Sequence, residues 1–117
     1  MATGWMEASL YCLLSLPGSS MYRIEFTPEA LEDLASLRNF DLRRVVDETE
    51  VQLKDEPTRE TRKRKRLRPN QLAEWELRVE SFRVFYDVFL EDSVVKVVAV
   101  GSKVGNNLFI HGEKYEL

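Results

Sequence analysis

The sequence predicts an α+β fold with the element order β-α-α-β-β-β, in which a helix hairpin packs on one face of a small, curved and mainly antiparallel sheet. Apolar residues alternate with polar ones over residues 22–27, which is the period of a half-buried strand. They then recur at spacings of three and four over residues 31–53, as in amphipathic helices. Alternation returns after residue 74 and predicts the remaining strands. A length of 117 residues allows one such domain.

A helix start follows the first strand directly. Thr27 can cap a helix with its hydroxyl, Pro28 suits the first helical position, and Glu29 places an acid in the first turn. The apolar stripe of this helix consists of Leu31, Leu34, Ala35 and Leu37. The stripe of a second helix consists of Leu42, Val45, Val46, Thr49 and Leu53, and Asp55-Glu56-Pro57 ends it. The short connection between the two predicts a helix hairpin.

Three strand signals come in the second half of the chain. Residues 75–79 and 82–88 alternate, and Glu80-Ser81 between them has poor chemistry for a tight primed turn, so we expect a looser turn there. Residues 94–100 are β-branched and nearly all apolar, which predicts a central strand covered on both faces. Residues 101–107 are expected to form a polar loop, and the three residues that follow a last apolar patch.

Residues 1–20 differ in composition from the rest of the chain. The apolar run from Leu10 to Leu16 is broken by Pro17-Gly18-Ser19-Ser20, and the residues before it contain none of the Lys or Arg that a signal peptide carries there. We expect a loosely attached leader over residues 1–20, such as an upstream start codon would add, that does not contribute to the fold. The domain is then expected to span residues 21–117, with Met21 as its functional start.

The composition excludes several classes of site. The single cysteine, Cys12, allows no internal disulfide, and a reducing, cytoplasmic location is expected. Cys12 and the single histidine, His111, cannot form a zinc site or supply a Cys–His catalyst, so we expect neither a metal nor a cofactor. No apolar run approaches the ~20 residues needed to cross a membrane, and no membrane partner is expected.

Basic residues are concentrated in residues 58–70. Seven basic residues and one acid give this segment a net charge of +6, against −9 for the remainder of the chain. A basic strip on an acidic body is the electrostatic footprint of a partner with phosphates or carboxylates, although a solvated helix end or loop has the same composition. The basic strip comprises Arg62, Lys63, Arg64, Lys65, Arg66 and Arg68, together with Arg59.

A second cationic group is expected on the predicted hairpin. If the last residue of one strand pairs with the first of the next, Arg78 lies opposite Arg83 on the face away from the apolar residues. Like charges directly opposite are destabilising, so an anion or a carboxylate is expected between them, and Glu76 on the same face could be that partner. Lys103, just past the end of the next strand, should lie beside Arg83. These cations then form a candidate phosphate site, unless they are solvated residues neutralised by nearby acids.

Three separated blocks of the sequence resemble the motifs of one family. Residues 21–30 (MYRIEFTPEA) resemble its opening strand and helix start. Residues 75–86 (WELRVESFRVFY) resemble its aromatic and Arg-rich hairpin, and residues 98–103 (VAVGSK) resemble its Val-Gly-Xaa-Arg/Lys motif. The family is the RelE/ParE superfamily of toxins from type II toxin–antitoxin pairs. The resemblance extends from Met21 to about Ile110 and implies a RelE-like fold.

The RelE branch of this family implies a metal-independent endoribonuclease that cuts mRNA at the ribosome and inhibits translation. The ribose 2′-OH attacks the adjacent phosphate, which needs a base, cations for the charge on the phosphorane and an acid for the leaving oxygen. Arg83 matches the family's strand arginine, and Lys103 matches its post-strand cation. The resemblance makes the basic strip a candidate RNA-binding surface. The candidate catalytic residues are Arg83, Lys103, Arg78 and Glu76.

Two features depart from the family pattern. Glu74 and Glu76 stand where the family has paired lysines, and Phe109 stands where it has a C-terminal tyrosine, so that the hydroxyl of a base or acid is missing there. Glu76 could serve as the base instead, although a carboxylate held beside arginines is a weak one. The alternatives are a ParE-like inhibitor of DNA gyrase, which acts by protein–protein binding, and a non-cleaving RNA-binding module.

The resemblance also implies a cognate antitoxin as protein partner, beside mRNA and the ribosome. We expect an acidic segment of the antitoxin, disordered alone, that folds on binding as a helix or an added strand. Its carboxylates are expected near Arg78, Arg83 or the basic strip, where they would block phosphate entry. A small antitoxin gene beside this one would support the toxin–antitoxin role.

Overall fold

The computed structural model describes residues 22–116, and the expectations for the leader and for Met21 lie outside the described residues. This part of the chain contains two helices and seven strands. The helices are α1 (Pro28–Ala35) and α2 (Asn39–Leu53). The strands are β1 (Arg23–Phe26), β2 (Arg64–Arg66), β3 (Trp75–Val79), β4 (Phe82–Phe89), β5 (Val94–Val104), β6 (Asn107–Ile110) and β7 (Glu113–Tyr115). Neither helix is long and apolar enough to cross a membrane.

The strands form one sheet in the order β2-β3-β4-β5-β6-β7, and β1 also pairs with β5. The β1–β5 pair is parallel and every other pair is antiparallel. Strand β4 runs along one side of β5, whereas β1 and β6 share its other side, because β1 pairs with Val94–Val97 and β6 with Ser102–Val104. The predicted α+β fold, with a helix pair on a mainly antiparallel sheet, is confirmed; β2, β6 and β7 were not predicted.

Two predicted connections differ from the structure. The expected polar loop over residues 101–107 is wrong, because β5 continues to Val104 and turns at Gly105 into β6. This hairpin is held by backbone hydrogen bonds. Because backbone pairing does not require alternating apolar side chains, the sequence carries no strand signal there. The turn at Glu80-Ser81 is tight rather than loose, since Val79 pairs directly with Phe82. Glu80 adopts a φ of 54° there, and its side chain forms an ion pair with Arg44 of α2 at 2.7 Å.

The helices pack on one face of the sheet, as predicted, although Ala35 of the predicted stripe is exposed and Ala30 is buried in its place. The Thr27 hydroxyl accepts a hydrogen bond from the Ala30 backbone N–H at 3.1 Å, which confirms the predicted N-cap. Ala30 and Leu34 of α1 are buried against the sheet. The buried residues of α2 are Val45, Thr49 and Leu53. The sheet contributes to the same core Ile24, Phe26, Trp75, Leu77, Val79, Val84, Tyr86, Val95, Val97 and Val100.

Helix α1 also completes the edge of β5 between β1 and β6. The Thr27 hydroxyl donates to the Val98 carbonyl at 3.2 Å, and the Asp33 carboxylate accepts from the Val100 N–H at 3.0 Å. These side chains replace the strand neighbour that β5 lacks at this point, so the backbone groups stay paired. The other oxygen of Asp33 lies 2.8 Å from His111 Nδ1, in the turn between β6 and β7.

The opposite face of the sheet carries a second, smaller apolar cluster. Its buried residues are Ala73, Phe85, Ala99 and Ile110, with Leu67, Leu72, Val98, Leu108 and Tyr115 packed around them. The loop between β2 and β3 therefore crosses this face. Asn70 holds the loop, because its side-chain oxygen accepts from the N–H groups of Leu72 and Ala73 and its amide donates to the Arg68 carbonyl. The loop and the β6–β7 hairpin become two walls around the floor formed by β3 and β4.

Candidate functional site

A groove of about 530 Å³ lies between these walls, on the face of the sheet away from the helices. It is lined by Lys65, Arg66, Leu67, Arg68, Glu76, Arg78, Arg83, Lys103, Asn106, Leu108, Tyr115 and Glu116. Six of these side chains are cationic and two are acidic, so the groove carries a strong positive potential on a chain whose net charge is −3.

The floor of the groove places two arginines side by side. Arg78 on β3 pairs directly with Arg83 on β4, and Arg83 pairs with Gly101 on β5, as the sequence predicted. Lys103 follows on β5, and its backbone N–H donates to the Ser81 carbonyl at 2.7 Å. The structure thus brings together in one groove the four candidate catalytic residues, namely Glu76, Arg78, Arg83 and Lys103.

Arg83 is the least exposed of the groove's cations that the sequence singled out for catalysis. Its side chain is 10% exposed, and its Nη1 donates to the carbonyls of Glu80 at 2.8 Å and of Phe82 at 2.9 Å. Burial lowers the pKa of the Arg83 guanidinium, the Glu76 carboxylate opposes this effect, and Arg78 adds to it. The group stays charged, because an arginine does not deprotonate in proteins. Its Nε and Nη2 make no hydrogen bond within residues 22–116, so both can donate to an anion in the groove.

Glu76 stands beside Arg83 as the internal carboxylate that the sequence suggested. Its Oε2 lies 4.0 Å from Arg83 Nε, and the side chain is 17% exposed. On the other side, Glu76 pairs across strands with Lys65 of β2. Within residues 22–116 the carboxylate forms this ion pair but accepts no hydrogen bond, so its oxygens can take a donor from a ligand.

Tyr115 supplies the groove with a hydroxyl that the sequence reasoning missed. It lies on β7, opposite Leu108, and packs against the outer apolar cluster. Phe109 lies instead in a hollow on the helix side of the sheet, with Leu37 and Phe82. A signal for Tyr115 was present, since His111-Gly112 is a turn sequence followed by the alternating Glu113-Lys114-Tyr115.

The basic strip divides into parts with different environments. Lys65, Arg66 and Arg68 line the groove, and the Arg66 guanidinium lies over the Trp75 ring at 5.8 Å from its centroid. Arg62 and Lys63 line a neighbouring hollow of about 230 Å³. Lys63 also lies 3.5 Å from Glu48 of α2.

Arg64 differs from the rest of the basic strip, in which it was a candidate RNA-binding residue. Its side chain is buried, and it donates through Nε to the Arg59 carbonyl at 3.0 Å and through Nη1 to the Gln52 carbonyl. Alternation along β2 turns this residue to the helix side while Lys65 faces the groove. Arg64 therefore ties the end of α2 to the sheet and is not part of the groove.

The chemistry of the groove follows from these side chains. Arg78, Arg83 and Lys103 can bind a phosphate and stabilise additional negative charge on it. Glu76 can accept a proton, and the Tyr115 phenol can donate one. Within the described part of the chain, no group of three or more His, Cys, Asp or Glu side chains could hold a metal ion.

Comparisons with known proteins relate the chain to one family. The family model described as the ParE toxin of the type II toxin–antitoxin system parDE matches residues 24–104. That range contains Arg78, Arg83 and Lys103 but ends before β6 and β7. Among curated proteins, no sequence matches the chain.

Two solved structures share the fold. The toxin–antitoxin complex RelBE2 from Mycobacterium tuberculosis contains a chain that is 24% identical, with a TM-score of 0.59, and the match covers 80% of this chain and 94% of that one. The archaeal RelE–RelB complex from Pyrococcus horikoshii OT3 contains a chain that is 23% identical, with a TM-score of 0.58, and the match covers 73% of this chain and 97% of that one. At these identities the likeness shows the fold.

Proposed function

The chain belongs to the ParE toxin family of type II toxin–antitoxin systems, within the RelE/ParE superfamily, and we propose that it is an endoribonuclease that cuts mRNA at the ribosome without a metal ion. The observation that carries the proposal is the convergence of Arg78, Arg83 and Lys103 on one groove with a carboxylate and a phenol. An inhibitor that acts only by protein–protein binding has no need for a proton acceptor and a proton donor beside a phosphate-sized cluster of cations.

The proposed reaction is an internal transesterification. Glu76 takes the proton of a ribose 2′-OH, and the 2′ oxygen attacks the adjacent phosphorus. The P–O5′ bond breaks, and the leaving oxygen takes a proton from Tyr115. The products are a 2′,3′-cyclic phosphate and a free 5′-OH. Arg83, held by the Glu80 and Phe82 carbonyls, would stabilise the charge that builds on the phosphorane.

The remaining cations of the groove are proposed to bind the RNA on either side of the reacting phosphate. Lys65, Arg66 and Arg68 lie on the wall next to β2 and Lys103 lies at the end of β5. Arg62 and Lys63 extend the cationic surface beyond the groove, in the neighbouring hollow. A basic surface of this kind also suits a ribosome, since its RNA presents many phosphates.

We further propose a cognate antitoxin as the partner that restrains the activity. Two of the solved structures that share the fold are complexes of two proteins, the toxin–antitoxin complex RelBE2 and the archaeal RelE–RelB complex. The positive potential of the groove favours a partner with carboxylates, which would occupy the positions of the RNA phosphates.

The test is RNA cleavage by the purified full-length chain in a cell-free translation reaction. The mRNA ends should carry a 2′,3′-cyclic phosphate and a 5′-OH. Arg83→Ala should slow cleavage by about 10²–10³-fold, as expected for the loss of one preorganised donor to a charged transition state. Lys114→Ala is the matched control, because Lys114 lies on β7 and is exposed outside the groove.

The result that would overturn the proposal is intact mRNA in the presence of a toxic chain. Inhibition of growth with a DNA-damage response and uncut mRNA would indicate a ParE-like inhibitor of DNA gyrase instead. Binding of RNA without cleavage and without toxicity would indicate a binding module.

A further inference from the structure

The charges of the groove alternate in sign across the sheet. One cationic group consists of Arg78, Arg83 and Lys103, and the other of Lys65, Arg66 and Arg68. Glu76 lies between them, because β3 stands between β2, which carries Lys65, and β4, which carries Arg83. Neighbouring strands are about 4.8 Å apart, and Arg83 lies two residues along β4 from the position level with Lys65, so the two backbones are roughly 12 Å apart.

Glu76 lacks the hydrogen-bond donors that a half-buried carboxylate normally has. An ionised carboxylate offers about four acceptor positions. In residues 22–116 its one cationic neighbour within 4.0 Å is Arg83, and it accepts no hydrogen bond. Since the carboxylate faces the groove, a ligand that brings both anions and a hydroxyl donor satisfies the site better than one that brings anions alone.

The backbone of RNA has this sequence of groups, because each ribose carries a 2′-OH between two phosphates. We propose that the groove binds one strand of RNA across β2–β5, with successive phosphates at the two cationic groups, and that Glu76 selects RNA over DNA by accepting a hydrogen bond from the intervening 2′-OH. DNA offers Glu76 no donor there and brings its phosphates close to a carboxylate that accepts no hydrogen bond. The groove of about 530 Å³ has room for a short single-stranded segment.

This assignment rests on the proposed function in that the groove is a nucleic-acid site, but it concerns binding and not cleavage. The 2′-OH that Glu76 contacts is the hydroxyl that attacks in the proposed reaction. Selection for RNA would then precede the chemistry and persist in any variant that binds without cutting.

The first experiment measures the binding of the full-length chain to labelled eight-nucleotide RNA, DNA and 2′-O-methyl RNA of one sequence by fluorescence anisotropy. RNA integrity is checked on a gel after each titration. The RNA should bind about tenfold more tightly or better than either analogue, because hydrogen bonds to charged groups are the stronger class. Glu76→Ala should bring the three affinities together, mainly by strengthening the binding of DNA.

Two further variants separate the charge of Glu76 from its hydrogen bond. Glu76→Gln keeps an acceptor and loses the charge, so it should bind both nucleic acids more tightly and retain part of the preference for RNA. Glu74→Ala removes an exposed acid next to β3 that does not line the groove, and it should leave the ratio unchanged. Equal binding of RNA and DNA by the unchanged chain, or a preference that survives in Glu76→Ala, would overturn the assignment.

The second experiment tests the remote phosphate through the salt dependence of binding. For single strands the slope of log affinity against log salt is about −0.7 per neutralised phosphate. The double variant Lys65→Ala, Arg68→Ala should make the slope shallower by about 0.7, which corresponds to the loss of one neutralised phosphate. Lys114→Ala should leave the slope unchanged. An unchanged slope in the double variant would show that no phosphate binds at the cationic group of Lys65, Arg66 and Arg68.

The two levels of the proposal fail separately. If the chain prefers RNA but does not cut it, the proposed endoribonuclease activity is rejected and the role of Glu76 in selecting RNA is retained. If the chain cuts RNA but binds RNA and DNA equally, the activity is retained and the selecting role of Glu76 is rejected.

Discussion

Asp33 of α1 and His111 of the β6–β7 turn lie 2.8 Å apart, from Oδ1 to Nδ1, while the other oxygen of Asp33 accepts the backbone N–H of Val100. Asp33 is only 9% exposed, whereas His111 is 41% exposed. The two contacts therefore differ in environment, although they share one carboxylate.

We predict that the backbone contact of Asp33 contributes more stability than its contact with His111. Asp33→Ala leaves the Val100 N–H unpaired and should lower the free energy of unfolding by about 1–3 kcal/mol. His111→Asn, which tolerates the positive φ of 56°, should lower it by less than about 1 kcal/mol. Urea unfolding of the two single variants and of the double variant measures the free energy contributed by the Val100 contact and by the His111 contact. Equal losses in the single variants would contradict the prediction.

Gly101 is predicted to be irreplaceable for a steric reason. A Cβ at this position would lie 2.6 Å from the Phe109 carbonyl oxygen and 2.8 Å from Ile110 Cγ1. Since the backbone of β6 cannot move without losing its pairing, Gly101→Ala should cost about 1–3 kcal/mol of stability. Gly105→Asn is the comparison, because Gly105 has a φ of 62° and open space around it. A Gly101→Ala variant as stable as Gly105→Asn would show that β6 can shift.

Tyr86 is predicted to make stability fall in alkaline solution. Its hydroxyl donates to the Pro57 carbonyl at 2.8 Å, and burial raises its pKa well above the ordinary value, with Arg64 opposing the shift. The unfolded chain ionises at its ordinary pKa of about 10 while the folded chain does not, so the contribution of Tyr86 is complete below pH 10 and declines above it.

The variant Tyr86→Phe isolates this contribution. It should lower the free energy of unfolding at pH 7 by about 1–2 kcal/mol, because the Pro57 carbonyl loses its donor. Each pH unit above 10 should then reduce the difference from the unchanged chain by up to about 1.4 kcal/mol. Tyr22→Phe serves as the control for loss of a tyrosine hydroxyl. A difference independent of pH between 8 and 11 would refute the linkage.

Tyr115→Phe is predicted to reduce RNA cleavage by about 10²–10⁴-fold at saturating RNA, as expected for the loss of a general acid. RNA affinity should change by less than about twofold, since the ring keeps its packing on the outer cluster. Single-turnover rates and anisotropy give the two quantities. A variant that cleaves at the normal rate would exclude Tyr115 as the proton donor.

Binding of the antitoxin is predicted to depend on the two paired arginines. The double variant Arg78→Ala, Arg83→Ala should weaken the complex by about tenfold or more at low salt, because carboxylates of the partner lose charge-assisted hydrogen bonds. The deficit should shrink as salt is added. Calorimetry at two salt concentrations measures it, with Arg43→Ala, Lys114→Ala as a variant of equal charge. Unchanged affinity at both salt concentrations would place the partner on a remote surface.

Much of the architecture follows from local signals. The strand and helix periods, the Thr27 cap and the pairing of Arg78 with Arg83 were all predictable, because each depends on residues that are close in sequence. The convergence of Lys103 on the same groove also followed, since one further antiparallel strand places it there. Turn chemistry was less reliable: Glu80-Ser81 forms a tight turn in spite of its composition.

The sequence by itself determined the α+β class, the element order and the cationic hairpin, through side-chain periodicity and the charges of neighbouring residues. Only the tertiary structure decided that Arg64 turns inward, that Asp33 completes the edge of β5 and that Tyr115 enters the groove. The hydrogen bond of Asp33 to Val100 spans 67 residues of sequence and its contact with His111 spans 78. No local pattern encodes such contacts, because they exist only once burial of the apolar faces has brought the distant segments together.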